Sequence, residues 1–148
     1  MNQNTIGIIV GGLLPSLFYG FSTITMKAGA KYNISTSSYM MIIGVVIFLV
    51  GLISTQIIES PESNLNKSAI LLAILSGTLW ALGTTLVNYS IVKFDTPLAI
   101  LTPLYNTNTL VAVLGGMILF AEWKLVNTIP VLIGTILVVL GGIFLAKA

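Results

Sequence analysis

Five long stretches of uncharged, mostly apolar residues make up nearly all of this chain, and short charged breaks separate them. The stretches cover 1–26, 32–58, 68–92, 96–121 and 125–146, each 22 to 27 residues long. A helix needs about 20 apolar residues to cross a hydrocarbon layer roughly 30 Å thick, so every stretch is long enough to span once. Strict apolar–polar alternation, the mark of a membrane barrel, is absent. Backbone polar groups in lipid must be satisfied within the segment, which leaves the helix as the way across. The pattern therefore predicts an all-α integral membrane protein with five transmembrane helices, at about 5–27, 36–58, 69–92, 97–120 and 127–146, forming a single domain over 1–148.

The charges sharpen this picture by where they sit. They fall in five clusters: Lys27 with Lys31; Glu59, Glu62 and Lys67; Lys93 with Asp95; Glu122 with Lys124; and Lys147. A charge at the bilayer centre is costly, and confining charge to the breaks is what a spanning chain requires. Only 7% of residues are charged and the mean hydropathy is +1.05, whereas soluble domains carry roughly a quarter charged residues. A net charge of +2, so scattered, argues against a nucleic-acid partner. With no cysteine and no histidine, the chain lacks thiol chemistry and the common zinc ligands, and no metal or other cofactor is expected. The first stretch is expected to remain as a helix rather than act as a signal peptide. No Lys or Arg precedes Lys27, and its apolar run exceeds a signal core despite the small residues Ala28-Gly29-Ala30.

Connections are short. Glu59 to Ser68, with Pro61 and several Ser and Asn residues, reads as a true loop. Lys93 to Pro97 reads as a tight break with Asp95 or Thr96 as N-cap. Pro15 and Pro103 lie inside spans, where proline removes a backbone hydrogen bond. Each is either a tolerated kink or a hinge, and the residues leave both open. Small residues form packing stripes: Gly7 with Gly11, Gly77 with Ala81, Gly44 with Gly51, and Gly134, Gly141 and Gly142. Such residues let helices approach closely where lipid offers no drive to associate.

Intramembrane polarity concentrates in the third and fourth spans. Trp80, Thr84 and Asn88 recur at i, i+4 and i+8, on one helical face. Trp80 is near mid-span, too deep for the interfacial belt that Trp123 suits. Tyr105, Asn106 and Asn108 follow Pro103 closely, as Tyr19 follows Pro15. A single Ser or Thr at such depth is accounted for by interhelical hydrogen bonding. Buried amides need several partners, so the set of Trp80, Thr84, Asn88, Tyr105, Asn106, Asn108 and Tyr19 is expected to line a polar, aromatic central cavity that binds substrate. No Asp, Glu, Lys, Arg or His lies at that depth. The cavity would suit a small neutral or zwitterionic polar solute.

Several stretches resemble an EamA-type unit of the drug/metabolite transporter superfamily. They are Ser76-Gly77-Thr78-Leu79-Trp80-Ala81-Leu82-Gly83, then Pro97-Leu98-Ala99, Phe120-Ala121-Glu122-Trp123, Gly134, and Leu140-Gly141-Gly142-Ile143. The segment from Leu13 to Gly20, with Lys27 closing the span, is similar to that unit's first helix. The Pro15 segment, the Trp80 segment and the Glu122-Trp123 pair look most like the glucose/ribose uptake branch. The resemblance implies half of a fold built from two inverted five-helix units, and this chain carries one. It lacks the membrane-embedded first-helix glutamate of the four-helix multidrug branch, which argues against proton-coupled export of cationic drugs.

An odd number of spans places the termini on opposite faces. Four lysines (Lys27, Lys31, Lys93, Lys147) then share one face and two (Lys67, Lys124) the other, a slight bias under the positive-inside rule. Two copies are therefore expected to pair antiparallel as a homodimer in the plasma membrane and to move a solute, sugar-like or amino-acid-like, by alternating access. The competing reading is a non-transporting subunit, or a half-transporter needing a partner chain. An enzyme is not expected, because no nucleophile–base pair is visible.

Overall fold

The structure, a computed structural model, describes residues 3–58, 66–145 and 147. Most of the expected 59–68 loop, with Glu59 and Glu62, lies outside the described residues, as does Ala146. Helices α1 (Gln3–Ile8) and α2 (Leu14–Ala30) are joined through a π-helical turn, Ile9–Leu13. They are followed by α3 (Thr36–Ile57), α4 (Lys67–Phe94), α5 (Leu98–Tyr105), α6 (Asn108–Phe120) and α7 (Thr128–Leu145). No strand occurs among the described residues. Among the described residues, five segments are long and apolar enough to cross a membrane: Thr5–Ala30, Thr36–Ile57, Lys67–Phe94, Leu98–Phe120 and Thr128–Leu145.

These bounds match the sequence expectation to within a few residues, with one consistent difference. The first and third segments run past Lys27, Lys67 and Lys93, where the apolar pattern stops. A lysine ends the apolar stretch without ending the helix, because its long stem lets the ammonium reach the interface while the backbone stays helical. At 28 residues, α4 is about 42 Å long, longer than a hydrocarbon core.

Nearly all large apolar side chains point outward, and α3 buries none. In water such faces would drive aggregation. Against lipid tails they are the solvated surface, and association must come from close packing and polar contacts.

The helices fall into two units, residues 1–95 and 96–148. In the first, α4 packs against α2 and α3. Helix α2 also meets α3 where a side chain on Gly29 would stand 3.1 Å from the Tyr39 ring. The α3 N-terminus is capped by Ser35, whose hydroxyl accepts from the Ser38 N–H at 3.1 Å, and that of α4 by Asn66, accepting from the Ala69 N–H at 2.8 Å.

Asp95 does not cap the following helix, contrary to the expectation for the Lys93–Pro97 break. It ends α4 in the left-handed conformation (φ 50°), its N–H closing back to Ser90 O. Its carboxylate pairs with the Lys27 ammonium, which also donates to the Asp95 carbonyl at 3.1 Å. A cation there satisfies an orphan carbonyl and complements the negative end of the α4 dipole. The first helical residue after the break is Leu98, preceded by Pro97 with no side-chain cap. Lys27 and Asp95 also show that α2 and α4 end on the same side, as two spans separated by one return span must.

In the second unit, α5 and α6 both pack on α7. The fourth span is not one helix. Pro103 has no N–H to give, and the Thr107 N–H bonds Leu104 O at 3.1 Å instead of reaching Pro103 O. The Asn106 N–H still reaches Thr102 O at 3.1 Å, so the ladder breaks at Thr107. Helix α7 closes on the break: a side chain at Gly142 would lie 2.8 Å from Pro103 O and 3.3 Å from the Thr107 methyl. The stripe of small residues foreseen in the last span thus has one position that nothing but glycine fits. At the other end of α6, Ala121 adopts φ 54° and closes to Gly116 O, and the Glu122 carboxyl folds over Gly116.

Two outcomes follow. The hydrogen bond from Lys27 and its charge, helped by Lys31, hold the Asp95 carboxyl below the usual carboxylate range. A lowered native pKa gives stabilisation that is complete above the ordinary aspartate pKa and is lost as pH falls through the lowered one. Thermal melting in detergent should show Asp95→Asn less stable than wild type at pH 7, with the gap closing below about pH 4. For Gly142→Ala, unfolding measurements should show a loss of about 1–3 kcal/mol through overpacking. Gly134→Ala and Gly141→Ala, where a side chain meets nothing within 4 Å, should be neutral or stabilising by up to about 1 kcal/mol.

Candidate functional site

Because α4 is unbroken, the spacing of Trp80, Thr84 and Asn88 does place all three on one helical face. Burial rises steeply along it. Trp80 is 46% exposed, Thr84 is half-buried and Asn88 is 1% exposed. Asn88 lies six residues before Phe94, roughly 9 Å inside the end of the helix. Ile91, one turn further on, is also fully buried.

Neither Asn88 Nδ2 nor Oδ1 has a hydrogen-bond partner among the described residues. A buried polar group left unsatisfied costs about 1–3 kcal/mol, so such a pair calls for an explanation. The hydroxyls at membrane depth behave differently. Thr85 donates to Ala81 O at 2.7 Å, Thr78 to Ile74 O at 2.8 Å and Thr135 to Val131 O at 2.8 Å. The same return to the preceding turn occurs at Ser16, Thr23, Thr25, Ser54 and Thr55. A hydroxyl on a helix reaches the carbonyl three or four residues back. An asparagine amide has two N–H groups and a carbonyl, and no single helix carbonyl satisfies them. Among the described residues, Thr78, Thr85 and Thr135 thus satisfy their own hydroxyls, while the buried Asn88 amide stays unmet.

Tyr105, Asn106 and Asn108 cluster around the break of the fourth span, in the second unit. Tyr105 ends α5 and is half-buried, Asn106 sits in the break, and Asn108 opens α6; both asparagines are exposed. The local turn is held by Thr107 Oγ1 donating to Leu104 O at 2.6 Å and Thr109 Oγ1 donating to Asn106 O at 2.8 Å. Pro103 thus lies inside α5, which continues to Tyr105 before the discontinuity.

Pro15 disturbs its helix upstream. The Leu14 N–H reaches Ile9 O, five residues back, so the ladder widens over Ile9–Leu13 just before the ring. A proline ring clashes with the carbonyl four residues earlier, and a π-turn moves that carbonyl aside. Gly11 and Gly12 lie in the widened turn, with open space around them. Tyr19, one turn after Pro15, is 65% exposed.

Two features escaped the sequence reading. Gly142 was one of three glycines in its span, and no local signal distinguished it from Gly134 and Gly141. Lys27 and Asp95 are 68 positions apart, and nothing short of packing α2 on α4 brings them together. No protein-family model, curated protein or solved structure matches this chain.

Proposed function

We propose that the chain is a transporter of a small polar solute, neutral or zwitterionic, working by alternating access with two copies paired antiparallel in the plasma membrane. The observation that carries this reading is the Asn88 amide, 1% exposed with both polar atoms unpartnered. A purely structural role has little use for such a group, since an apolar side chain of the same shape would stabilise the bundle better. A binding role supplies the missing partners when solute is present.

The broken fourth span supports the same reading. Irregular backbone at membrane depth is tolerated where it is buried in protein or lines an aqueous path, and transporters place such breaks beside their substrates. The π-turn before Pro15 is a second local departure from a regular ladder. The resemblance to an EamA-type unit of the drug/metabolite transporter superfamily fits a five-helix chain whose odd span count suits an inverted pair. In this reading Trp80, Thr84 and Asn88 contact the solute, Tyr19 is a further candidate on the same unit, and the segments at Pro15 and Pro103 flex.

The purified protein in liposomes should take up radiolabelled D-glucose or L-asparagine saturably, above protein-free vesicles. Asn88→Leu, which keeps the branched shape, should lower uptake at least about tenfold while melting at the same temperature or higher. Unchanged uptake in that variant rules out the site; a lower melting temperature would assign Asn88 a structural role instead. The pairing is tested separately, since the chain has no native cysteine. Single cysteines at Gln3 and at Lys147, labelled from outside intact cells, should each be reached in part of the population. One orientation in all copies overturns the antiparallel pair.

A further inference from the structure

We propose that Asn88 binds a neutral carboxamide group on the solute, an assignment that rests on the transport reading above. Its side chain presents an acceptor, Oδ1, and a donor, Nδ2, side by side in one plane, and both are unmet. A ligand that satisfies both at once must offer a donor and an acceptor with the same spacing. A carboxamide does so through two parallel N–H···O bonds.

Ions of either sign fit poorly. A carboxylate accepts from Nδ2 but sets negative charge against Oδ1. An ammonium group donates to Oδ1 and sets positive charge against Nδ2. No Asp, Glu, Lys, Arg or His occurs between positions 68 and 92 to compensate an ion. Asp95, beyond the helix end, is already paired with Lys27. An uncompensated charge at this depth is expensive.

A polyhydroxyl solute meets the amide pair but brings further hydroxyls that each need a partner. On α4 the Thr78 and Thr85 protons are held by their own helix carbonyls, which leaves those oxygens as acceptors alone. A carboxamide bound to Asn88 has one outward N–H remaining, and an acceptor oxygen is what that group requires. Thr85, half-buried and three residues before Asn88 on the same helix, carries such an oxygen. Since Asn88 is closed off from solvent in this conformation, the ligand enters after neighbouring helices part, as alternating access requires.

The test uses the full chain in detergent micelles, labelled with ¹⁵N-asparagine, with the Asn88 side-chain signals identified by their loss in both Asn88→Leu and Asn88→Ser. Titration with acetamide should move those signals with a half-saturation at least about fivefold below that for acetate, methylammonium or ethylene glycol, the discrimination expected from one unmatched polar group. An equal or stronger response to any of those three, or none to acetamide, overturns the assignment. Acetamide binding without liposome uptake would reject the transport reading alone. Uptake of solute without carboxamide preference would reject this inference alone.

Discussion

Hydrocarbon neither donates nor accepts hydrogen bonds, and helices long and apolar enough to cross it, of which the described residues form five, must satisfy their polar groups themselves. The five long helices exist because each closes its own backbone ladder within one segment. Their hydroxyls turn back on the same ladder: Thr78, Thr85 and Thr135 each donate to a carbonyl one turn earlier. At the ends, where four carbonyls of any helix lack partners, the chain uses left-handed closures at Asp95 and Ala121 and the ammonium of Lys27. Wherever the ladder is not satisfied in one of these ways, something else has to explain the exception.

Three exceptions stand out among the described residues, two of them beside a proline. The fourth span parts at Thr107, whose N–H turns to Leu104 O, and Gly142 lets α7 pack directly on the Pro103 carbonyl that this leaves. Pro15 clashes with the turn before it, so the first span widens into a π-turn. Asn88 differs from both, because its unmet groups belong to a side chain and no backbone rearrangement relieves them. Proline breaks are absorbed by local geometry and by a close-packed neighbour. A buried amide with no partner among the described residues has no such local relief, which is why the proposed function rests on it.

The charged residues play a complementary part. They mark where helices meet water, and one pair does more. Lys27 and Asp95 bind the ends of α2 and α4 together on one side of the first unit, with the Asp95 side chain largely in solvent and the Lys27 side chain mostly covered. Exposed pairs of this kind contribute little on their own, yet this one also stops the α4 C-terminus. Such a contact fixes a helix end without bringing charge to membrane depth, and leaves the interior polar but uncharged.

The sequence by itself predicted five long apolar helices, and those found among the described residues match them in number and, to within a few residues, in bounds. Those follow from one-dimensional quantities: apolar length against bilayer thickness, and the cost of charge in lipid. It also placed Trp80, Thr84 and Asn88 on one face, since helical periodicity is local. Only tertiary structure separated Asn88 from the surrounding hydroxyls, because whether an amide finds a partner depends on which neighbours pack against it. The same holds for Gly142, singled out from its sister glycines by the Pro103 carbonyl, and for Asp95, turned from an expected N-cap into the partner of a lysine on another helix. Each is a property of contacts between distant segments, which span lengths and periodicity do not encode.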